Sequence, residues 1–366
     1  MFVANVDDKD VRYAAGRVWR DGSGFDAIVS VTTDEGPAPS NEIHFGGSRY
    51  DHIRSIVVES SGNIFVAGRT ESEDLPATAG RFQAKCGNGP IPPDGQSTSC
   101  MNAFVAKIWS TDRHVWATYL GGKMTEDAWS VGLDAAGNVY AAGFMGSSDF
   151  PLRNAAFSPR PHTDDPNPYM YRGYGTTDCF LTKLVPDGTK AIYSTALGGQ
   201  LWNGGGMTVD PDGTATFVGT SGDTNPHGLP LVASHHGPQG DLDATLVTLN
   251  PAGTLRHFVK FGGTSHDGSV AVHADGYVGS ARCDGGFGAR SVDVVRLGER
   301  TQQVWLGPGA EQAVQVTEHS PAAIAGDPSG CACRAAEFGA MTGERERQYW
   351  LFWGAAALVA RRRFEP

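Results

Sequence analysis

Apolar residues in this chain come in short runs set between glycine-rich breaks, and the plainest example lies between Asn102 and Pro151. It reads Asn102-Ala-Phe-Val-Ala-Lys-Ile, Trp116-Ala-Thr-Tyr-Leu-Gly-Gly, Ala128-Trp-Ser-Val-Gly-Leu-Asp and Gly137-Asn-Val-Tyr-Ala-Ala-Gly143, then closes on Asp149-Phe-Pro. The runs are rich in β-branched, aromatic and small apolar residues, and the breaks hold Gly-Gly or Gly-Asn pairs. That pattern predicts an antiparallel meander of short strands joined by turns. One such sheet cannot bury its own faces.

The same text recurs. Around Gly46-Gly47 stand Phe25-Asp-Ala-Ile-Val-Ser-Val, Ile43-His-Phe-Gly-Gly, Ser55-Ile-Val-Val-Glu, Gly62-Asn-Ile-Phe-Val-Ala-Gly68 and Asp74-Leu-Pro. A third copy carries Asp178-Cys-Phe-Leu-Thr-Lys-Leu, Tyr193-Ser-Thr-Ala-Leu-Gly-Gly, Met207-Thr-Val-Asp and Ala215-Thr-Phe-Val-Gly219. A fourth carries Asp243-Ala-Thr-Leu-Val-Thr-Leu, Phe258-Val-Lys-Phe-Gly-Gly and Gly276-Tyr-Val-Gly279. The Gly-Gly pairs lie about 75, 77 and 64 residues apart, wider than the roughly 40 to 50 residues of common propeller blades. The excess falls between Leu-Pro or Phe-Pro and the next Asp-Ala-Phe-Val-like run, and is expected to be loop inserted between blades. Copies packed face to face around an axis bury both faces of each sheet, so the fold class expected is all-β, a β-propeller of four-stranded antiparallel blades.

The series Asp-Ala-Phe-Val-x-Lys-Leu, Tyr-x-Leu-Gly-Gly, Gly-Asn-Val-Tyr-x-Ala-Gly and Asp-Phe-Pro resembles the bacterial β-propeller repeat family called SBBP, over residues from about Phe25 to about Gly279. The resemblance implies the propeller architecture. It implies no particular reaction, because the family is defined by its repeat.

The N-terminal stretch shapes the expected blade count. Asp10-Val-Arg-Tyr-Ala-Ala-Gly16 matches Gly137-Asn-Val-Tyr-Ala-Ala-Gly143, so the chain opens in the second half of a blade. Near the other end, Ser291-Val-Asp-Val-Val-Arg-Leu, Val304-Trp-Leu-Gly and Ala313-Val-Gln-Val supply candidate partner strands. Five blades are therefore expected, one of them composite and closed by both chain ends, which would remove exposed edges. A start codon placed too late would instead give six or seven blades with a signal peptide upstream, since Met1 to Asp10 shows no secretion signal.

Composition narrows the partners. The 366 residues, with 40 acidic against 29 basic and a net charge of -11, leave no basic stripe in the repeats, so no nucleic-acid partner is expected. Residues 1 to 318 read as the propeller, 319 to 348 as a linker with a Cys-x-Cys motif, and 349 to 366 as an apolar segment with a basic end. Cys331-Ala-Cys333, the run Tyr349 to Ala360 and the cluster Arg361, Arg362 and Arg363 resemble, in that order, the C-terminal sorting tail of myxobacteria and their relatives. That resemblance implies export, membrane association through the tail, and display at the cell surface or secretion. The apolar run is about 12 residues, or about 18 Å as helix, against the roughly 20 residues that span a bilayer core. The other reading is a short C-terminal helix docked on the propeller.

The candidate chemistry is sparse. Cys86 and Cys100 bracket a Gly- and Pro-rich insert with no core of its own, and a disulfide there would contribute roughly 3 kcal/mol by loop entropy. Cys179 stands where other copies have alanine and reads as a small buried thiol. Asp51, Asp127 and Asp267 follow the Gly-Gly pairs by four or five residues. They are weak candidates for a cation-binding rim, and stronger ones for caps on their own turns. The eleven histidines form no zinc pattern, His235-His236 reads as loop, and Gly204-Gly-Gly206 is not followed by a helix, so no metal, cofactor or catalytic residue is expected. Trp116, Trp129, Tyr119, Tyr140 and Tyr193 read as core, with Trp202 a lesser candidate for sugar stacking. The function expected is a non-enzymatic, monomeric scaffold that binds a protein or glycan through its inserts, Gly80 to Met101 and Asn154 to Thr177 above all. The alternatives are a hydrolase or lyase acting on polysaccharide at the channel mouth, with convergent acid and base groups, and a structural envelope protein.

Overall fold

The computed structural model describes residues 3–6, 11–20, 24–32, 42–76, 80–87, 100–111, 115–157, 178–197, 206–221, 233–235, 243–261, 266–272, 277–283, 289–296, 302–304, 347–353 and 356–362. These residues are all β-strand and turn, with no helix among them. The strands fall into five antiparallel meanders in chain order. The first holds β1 (Val3–Val6), β2 (Arg12–Arg20), β3 (Gly24–Thr32) and β4 (Glu42–Phe45). The second holds β5 (Asp51–Val58), β6 (Ile64–Thr70), β7 (Asn102–Ile108) and β8 (Val115–Leu120). The third holds β9 (Glu126–Leu133), β10 (Val139–Met145), β11 (Asp178–Leu184) and β12 (Ala191–Ala196).

In the fourth sheet, β13 (Met207–Val209) and β14 (Ala215–Ser221) are followed by β15 (Ala233–His235), then by β16 (Asp243–Leu249) and β17 (Leu255–Phe261). There β15 lies parallel on the outer side of β17. The fifth holds β18 (His266–Val272), β19 (Tyr277–Cys283), β20 (Ala289–Arg296) and β21 (Gln302–Val304). Near the C-terminus β22 (Arg347–Trp353) and β23 (Ala356–Arg362) form a hairpin, with β23 parallel to β1.

Each of the second to fifth sheets lays its first strand or strands against the sheet before it: β5 on β1 to β3, β9 on β5 to β7, β13 on β9, and β18 on β14 and β16. The middle sheets are thereby buried on both faces. Val66, Phe104 and Ala106 join Tyr13, Val29 and Phe45 in a first core, while their chain neighbours Phe65, Ala103 and Val105 join Val139, Ala141 and Phe180 in a second. A third core puts Tyr140, Leu181 and Tyr193 against Phe217, Val247 and Phe258. Burial on alternate sides explains why runs such as Ala-Phe-Val-Ala are apolar throughout. Each large side chain so buried is worth roughly 1.5–3 kcal/mol.

Two glycine positions of the repeat have direct steric causes. The strand pairs β5–β6 and β9–β10 each carry a bulge beside Gly68 and Gly143. A Cβ at either glycine would lie 1.9 Å from the carbonyl oxygen of His52 or Asp127, so no other residue fits. Turn glycine Gly188, at φ +68°, lies under the Trp116 ring of the preceding sheet, and Gly253, at φ +87°, lies under Tyr193 in the same way.

Three expectations are corrected. The composite blade is not built from the strands expected: Tyr13 pairs within the first sheet and Val294 within the fifth, and the C-terminal segment that joins the first sheet is the hairpin β22–β23, through β23 beside β1. The residues expected to form a short C-terminal helix include the hairpin β22–β23 instead. The inserts do not lie between blades either. They connect the second strand to the third inside one sheet, and their described parts cover its outer edge. Tyr119 N–H donates to Gln83 O at 3.0 Å, and Arg153 and Ser194 exchange backbone bonds at 3.0 and 2.7 Å. Such covering satisfies strand edges that would otherwise pair with other chains. The first insert also reaches the third sheet, through Arg81 Nη1 to Asp187 O at 2.7 Å and Phe82 N–H to Gly188 O at 2.8 Å.

Candidate functional site

The Gly-Gly turns are held by a repeated clasp. In the first copy the N–H groups of three consecutive residues are captured: Gly47 by Asp51 Oδ2 at 2.8 Å, Ser48 by Asp74 Oδ1 at 2.8 Å, and Arg49 by Ser72 Oγ at 2.9 Å. In the second copy Gly122 donates to Glu126 Oε2 at 3.1 Å, Lys123 to Asp149 Oδ1 at 2.9 Å, and Met124 to Ser147 Oγ at 2.7 Å. The Asp of Asp-Leu-Pro and Asp-Phe-Pro is therefore a turn clamp. A Cβ on Gly47 or Gly122 would sit 2.4 or 2.2 Å from it.

Asp51 is fully buried and also accepts from Thr70 Oγ1 at 2.5 Å and Ser72 Oγ at 3.0 Å. Burial nevertheless pushes its carboxyl up to about 6, with Asp26 nearby adding to the rise. Glu126 is equally buried, accepts from Asn102 Nδ2 at 3.0 Å and Ser147 N–H at 3.1 Å, and is pushed by burial up to about 8.

These contacts correct the candidate rim. Asp51 caps its turn, as the capping reading held, but its counterpart in the second copy is Glu126, because both carboxylates stand four residues after the second glycine. Asp127 is one register further on. Its carboxylate is buried and reaches back to the second sheet, taking Arg54 Nη2 at 2.8 Å and Nε at 3.1 Å. Burial raises its pKa, and Arg54 and Arg69 oppose that rise. Asp267 lies on β18, outside the described side chains. Among the described residues no group of three or more His, Cys, Asp or Glu could hold a metal ion.

Other repeat residues are likewise spent on structure. The lysine of the third strand pairs with the acid of the first hairpin turn: Lys183 with Asp134 at 3.2 Å and Lys107 with Glu59 at 3.8 Å. The segments Asp134 to Asn138 and Asp210 to Thr214 are hairpin turns, with Gly137 and Gly213 at φ +76° and +91°. Cys86 and Cys100 form the expected disulfide, with Cα atoms 5.8 Å apart, and Cys179 is a buried free thiol. Trp116, Tyr119, Tyr140 and Tyr193 are core. Trp202, His236, Cys331, Cys333 and Arg363 lie outside the described residues, while Arg361 and Arg362 end β23. No helix among the described residues is long and apolar enough to cross a membrane.

What remains is a cluster the repeat does not account for. Arg17 on β2 stacks over Phe25, its guanidinium 4.5 Å from the ring centroid, and over Tyr50 at 5.2 Å, and its Nη1 donates to the Tyr50 hydroxyl. Arg69 also lies over the Tyr50 ring, 5.3 Å from its centroid, and pairs with Glu71 at 2.7 Å. Trp19 packs edge-on against Phe25 at 5.0 Å and is 60% exposed. His52 lies edge-on to Tyr50 at 6.1 Å, buried, with Nδ1 lacking a hydrogen-bond partner among the described residues. Burial first, then the charges of Arg54 and Arg17, push its pKa down to about 3, so the ring is neutral. Counting from the clasp and bulge, Tyr50, His52, Arg54 and Arg69 occupy the places of Thr125, Asp127, Trp129 and Phe144 in the next sheet. There Trp129 and Phe144 simply stack on each other at 5.2 Å. The available sequence signal was this departure from the repeat, which aligning the copies by their Gly-Gly turns would have exposed.

No protein-family model matches the chain, and no curated protein matches it. Among solved structures it is similar to an ulvan lyase of polysaccharide lyase family PL25, in two structures, one bound to -[GlcA(1-4)Rha3S]-. Each shows 10% identity and a TM-score of 0.41, over 86% of this chain and 68% of that one. It is also similar to the hydrazine synthase of Kuenenia stuttgartiensis, at 10% identity and a TM-score of 0.35, over 80% of this chain and 75% of that one.

Proposed function

We propose that the protein is a five-bladed β-propeller of the SBBP type that acts as a non-enzymatic binding scaffold at the bacterial cell surface. The observation that carries this reading is the division of labour among its polar residues. Those belonging to the repeat hold turns and sheet junctions, while those departing from it gather around Arg17, Tyr50 and His52 where the first two sheets meet. A rigid frame with one variant patch is how a scaffold presents a recognition surface.

The competing polysaccharide hydrolase or lyase calls for acid and base groups that reach substrate. Asp51 and Glu126 have the raised pKa values that often mark such groups, but both are buried behind Gly-Gly turns with their oxygens held by N–H and O–H donors. His52, with its pKa near 3, is too weakly basic to abstract a proton. Display at the surface is the role we assign to the tail carrying Cys331, Cys333 and Arg361 to Arg363, with association to the membrane before or instead of processing.

The test is to incubate the purified full chain with a panel of neutral and acidic polysaccharides and follow binding, new reducing ends and unsaturated uronate absorbance together. Binding without products is expected. Products that scale with protein concentration would overturn the scaffold reading. Display is checked by labelling intact producing cells with a membrane-impermeant reagent, where labelling only after lysis would refute it.

A further inference from the structure

We propose that the Cys86–Cys100 bond is a thiol-responsive latch: a dithiol reductant opens it at Cys86 and so releases a strap, residues 80–87, from the outer edge of β8 and from the second Gly-Gly clasp, while the sheets stay folded. The proposal goes beyond the scaffold reading and does not depend on it.

The strap covers a strand edge and ends on a clasp. Its start is tied to the third sheet through Arg81 and Phe82. In its middle, Gln83 O takes the Tyr119 N–H at 3.0 Å, and the Gln83 N–H goes to Thr118 Oγ1 at 2.8 Å. The side-chain amide of Gln83 accepts from Gly121 N–H at 3.1 Å and donates to Gly121 O at 3.0 Å. At its end, Gly87 N–H donates to Asn102 Oδ1 at 2.8 Å. Buried Asn102 in turn holds Gly122 O at 3.1 Å and Glu126 Oε2 at 3.0 Å through its Nδ2. Gly87 lies directly on the clasp, since a Cβ there would stand 2.4 Å from Gly122 O.

The disulfide sits between two clasps. Cys86 Sγ lies 3.1 Å from Asn102 Oδ1, and Cys100 Sγ lies 3.5 Å from the carbonyl oxygen of Ser72, whose hydroxyl closes the first clasp on Arg49 and Asp51. None of residues 80–87 is fully buried, and Ala84 and Lys85 are exposed. The strap is therefore held by hydrogen bonds and one covalent bond more than by apolar burial, and a segment of that kind opens without the core.

The two sulfurs differ in access: Cys86 is half-buried and Cys100 fully buried. A thiolate of the reductant bonds to Cys86 Sγ, the S–S bond breaks, and its electron pair goes to Cys100 Sγ, which takes a proton from water. The reductant's second thiolate then attacks its own sulfur in the mixed disulfide and releases Cys86, which is protonated in turn. The protein gains two electrons and two protons, and the dithiol leaves as a cyclic disulfide. Losing the restraint on a ring of about 15 residues raises the open-to-closed ratio of the strap by up to about 100-fold. The uncovered edge of β8 then offers free N–H and C=O groups to an added strand.

The experiment is hydrogen–deuterium exchange of the full chain at neutral pH, oxidised, reduced with dithiothreitol, and reoxidised with glutathione disulfide, alongside the double variant Cys86→Ser, Cys100→Ser and the single variant Gly87→Ala. We expect residues 115–126 to exchange about tenfold faster or more after reduction, Val139–Met145 and Asp178–Leu184 to keep their rates, and reoxidation to restore the slow exchange. The double variant should match the reduced chain and ignore dithiothreitol. Gly87→Ala should loosen residues 121–126 with the disulfide intact. Reduced glutathione supplied at a single equivalent should be found on Cys86 when the adduct is mapped by peptide mass. Exchange over residues 115–126 indifferent to reduction would overturn the latch. Equal acceleration in all three stretches would also overturn it, since the bond would then restrain the whole fold. Glutathione on Cys100 alone would overturn the attack at Cys86. Should Gly87→Ala fail to fold, the response of the natural chain to reduction still decides.

Discussion

Replacing Glu126 by glutamine should remove a proton that ties the stability of this fold to pH. The carboxyl is fully buried, and burial pushes it to about 8 from an ordinary 4.5 although two N–H groups and Asn102 donate to it. A folded-state value above the unfolded one means that the folded chain binds the proton more tightly. The contribution is therefore complete below about pH 4.5 and is lost as pH rises through 8. One proton linked over this window changes stability by about 1.4 kcal/mol per pH unit. Between pH 5 and pH 8 the stability difference between the natural chain and Glu126→Gln should thus shift by about 3 to 4 kcal/mol in favour of the variant. Asp51, pushed to about 6, has the same sign but is present in both proteins and cancels. Urea melts followed by tryptophan fluorescence at intervals across that range measure the difference directly. A difference that stays constant with pH would refute the claim that Glu126 is folded in its neutral form.

Further expectations concern packing and covalent restraint. Gly188→Ala should cost about 2 to 4 kcal/mol, because its Cβ would meet the Trp116 ring at 2.7 Å in addition to the positive φ, whereas Gly80→Ala, at φ +83° in open space, should cost about 1 kcal/mol; equal losses in chemical melts would refute the packing argument. Arg54→Met should destabilise by roughly 2 to 4 kcal/mol by leaving Asp127 buried and unpaired, and adding Asp127→Leu should recover most of it; purely additive losses in the double-mutant cycle would show that the pair is not coupled. Reducing Cys86–Cys100, or replacing both by serine, should lower stability by roughly 3 kcal/mol and open the intervening loop to protease, whereas cleavage patterns unchanged by reduction would argue against it. Cys179 should resist thiol reagents until the chain unfolds, since burial raises its pKa well above the usual thiol range; rapid labelling of the native chain would contradict this.

Much of the fold was legible because the repeat states its own turn chemistry. Gly62-Asn-Ile and Gly137-Asn-Val end hairpin turns, and Asn102 to Ile108 and Asp178 to Leu184 are strands as read. The disulfide followed from a coreless insert bracketed by two cysteines. What misled was phase: a repeated unit can be cut anywhere, and nothing local says whether Leu120-Gly-Gly ends a sheet or continues one. The backbone ladder ends the second sheet at β8 and opens the third at β9, so the strand carrying Val294 falls in a different sheet from Tyr13 and the inserts belong inside sheets. Asp127 was misassigned for a similar reason. Chain spacing allowed either acid after Gly122, and only the turn geometry shows Glu126 reaching back to its N–H.

Sequence alone determined the strands, their turns and the need for each sheet to be covered on both faces, since those follow from local φ preferences and from apolar area that must leave water. Tertiary structure decided which polar residues meet. Arg17 and Tyr50 are 33 residues apart and Arg54 and Asp127 are 73, and each pair is joined by stacking of sheets. A hydrogen bond or a ring stack depends on distance in space, and the distance along the chain carries no record of it.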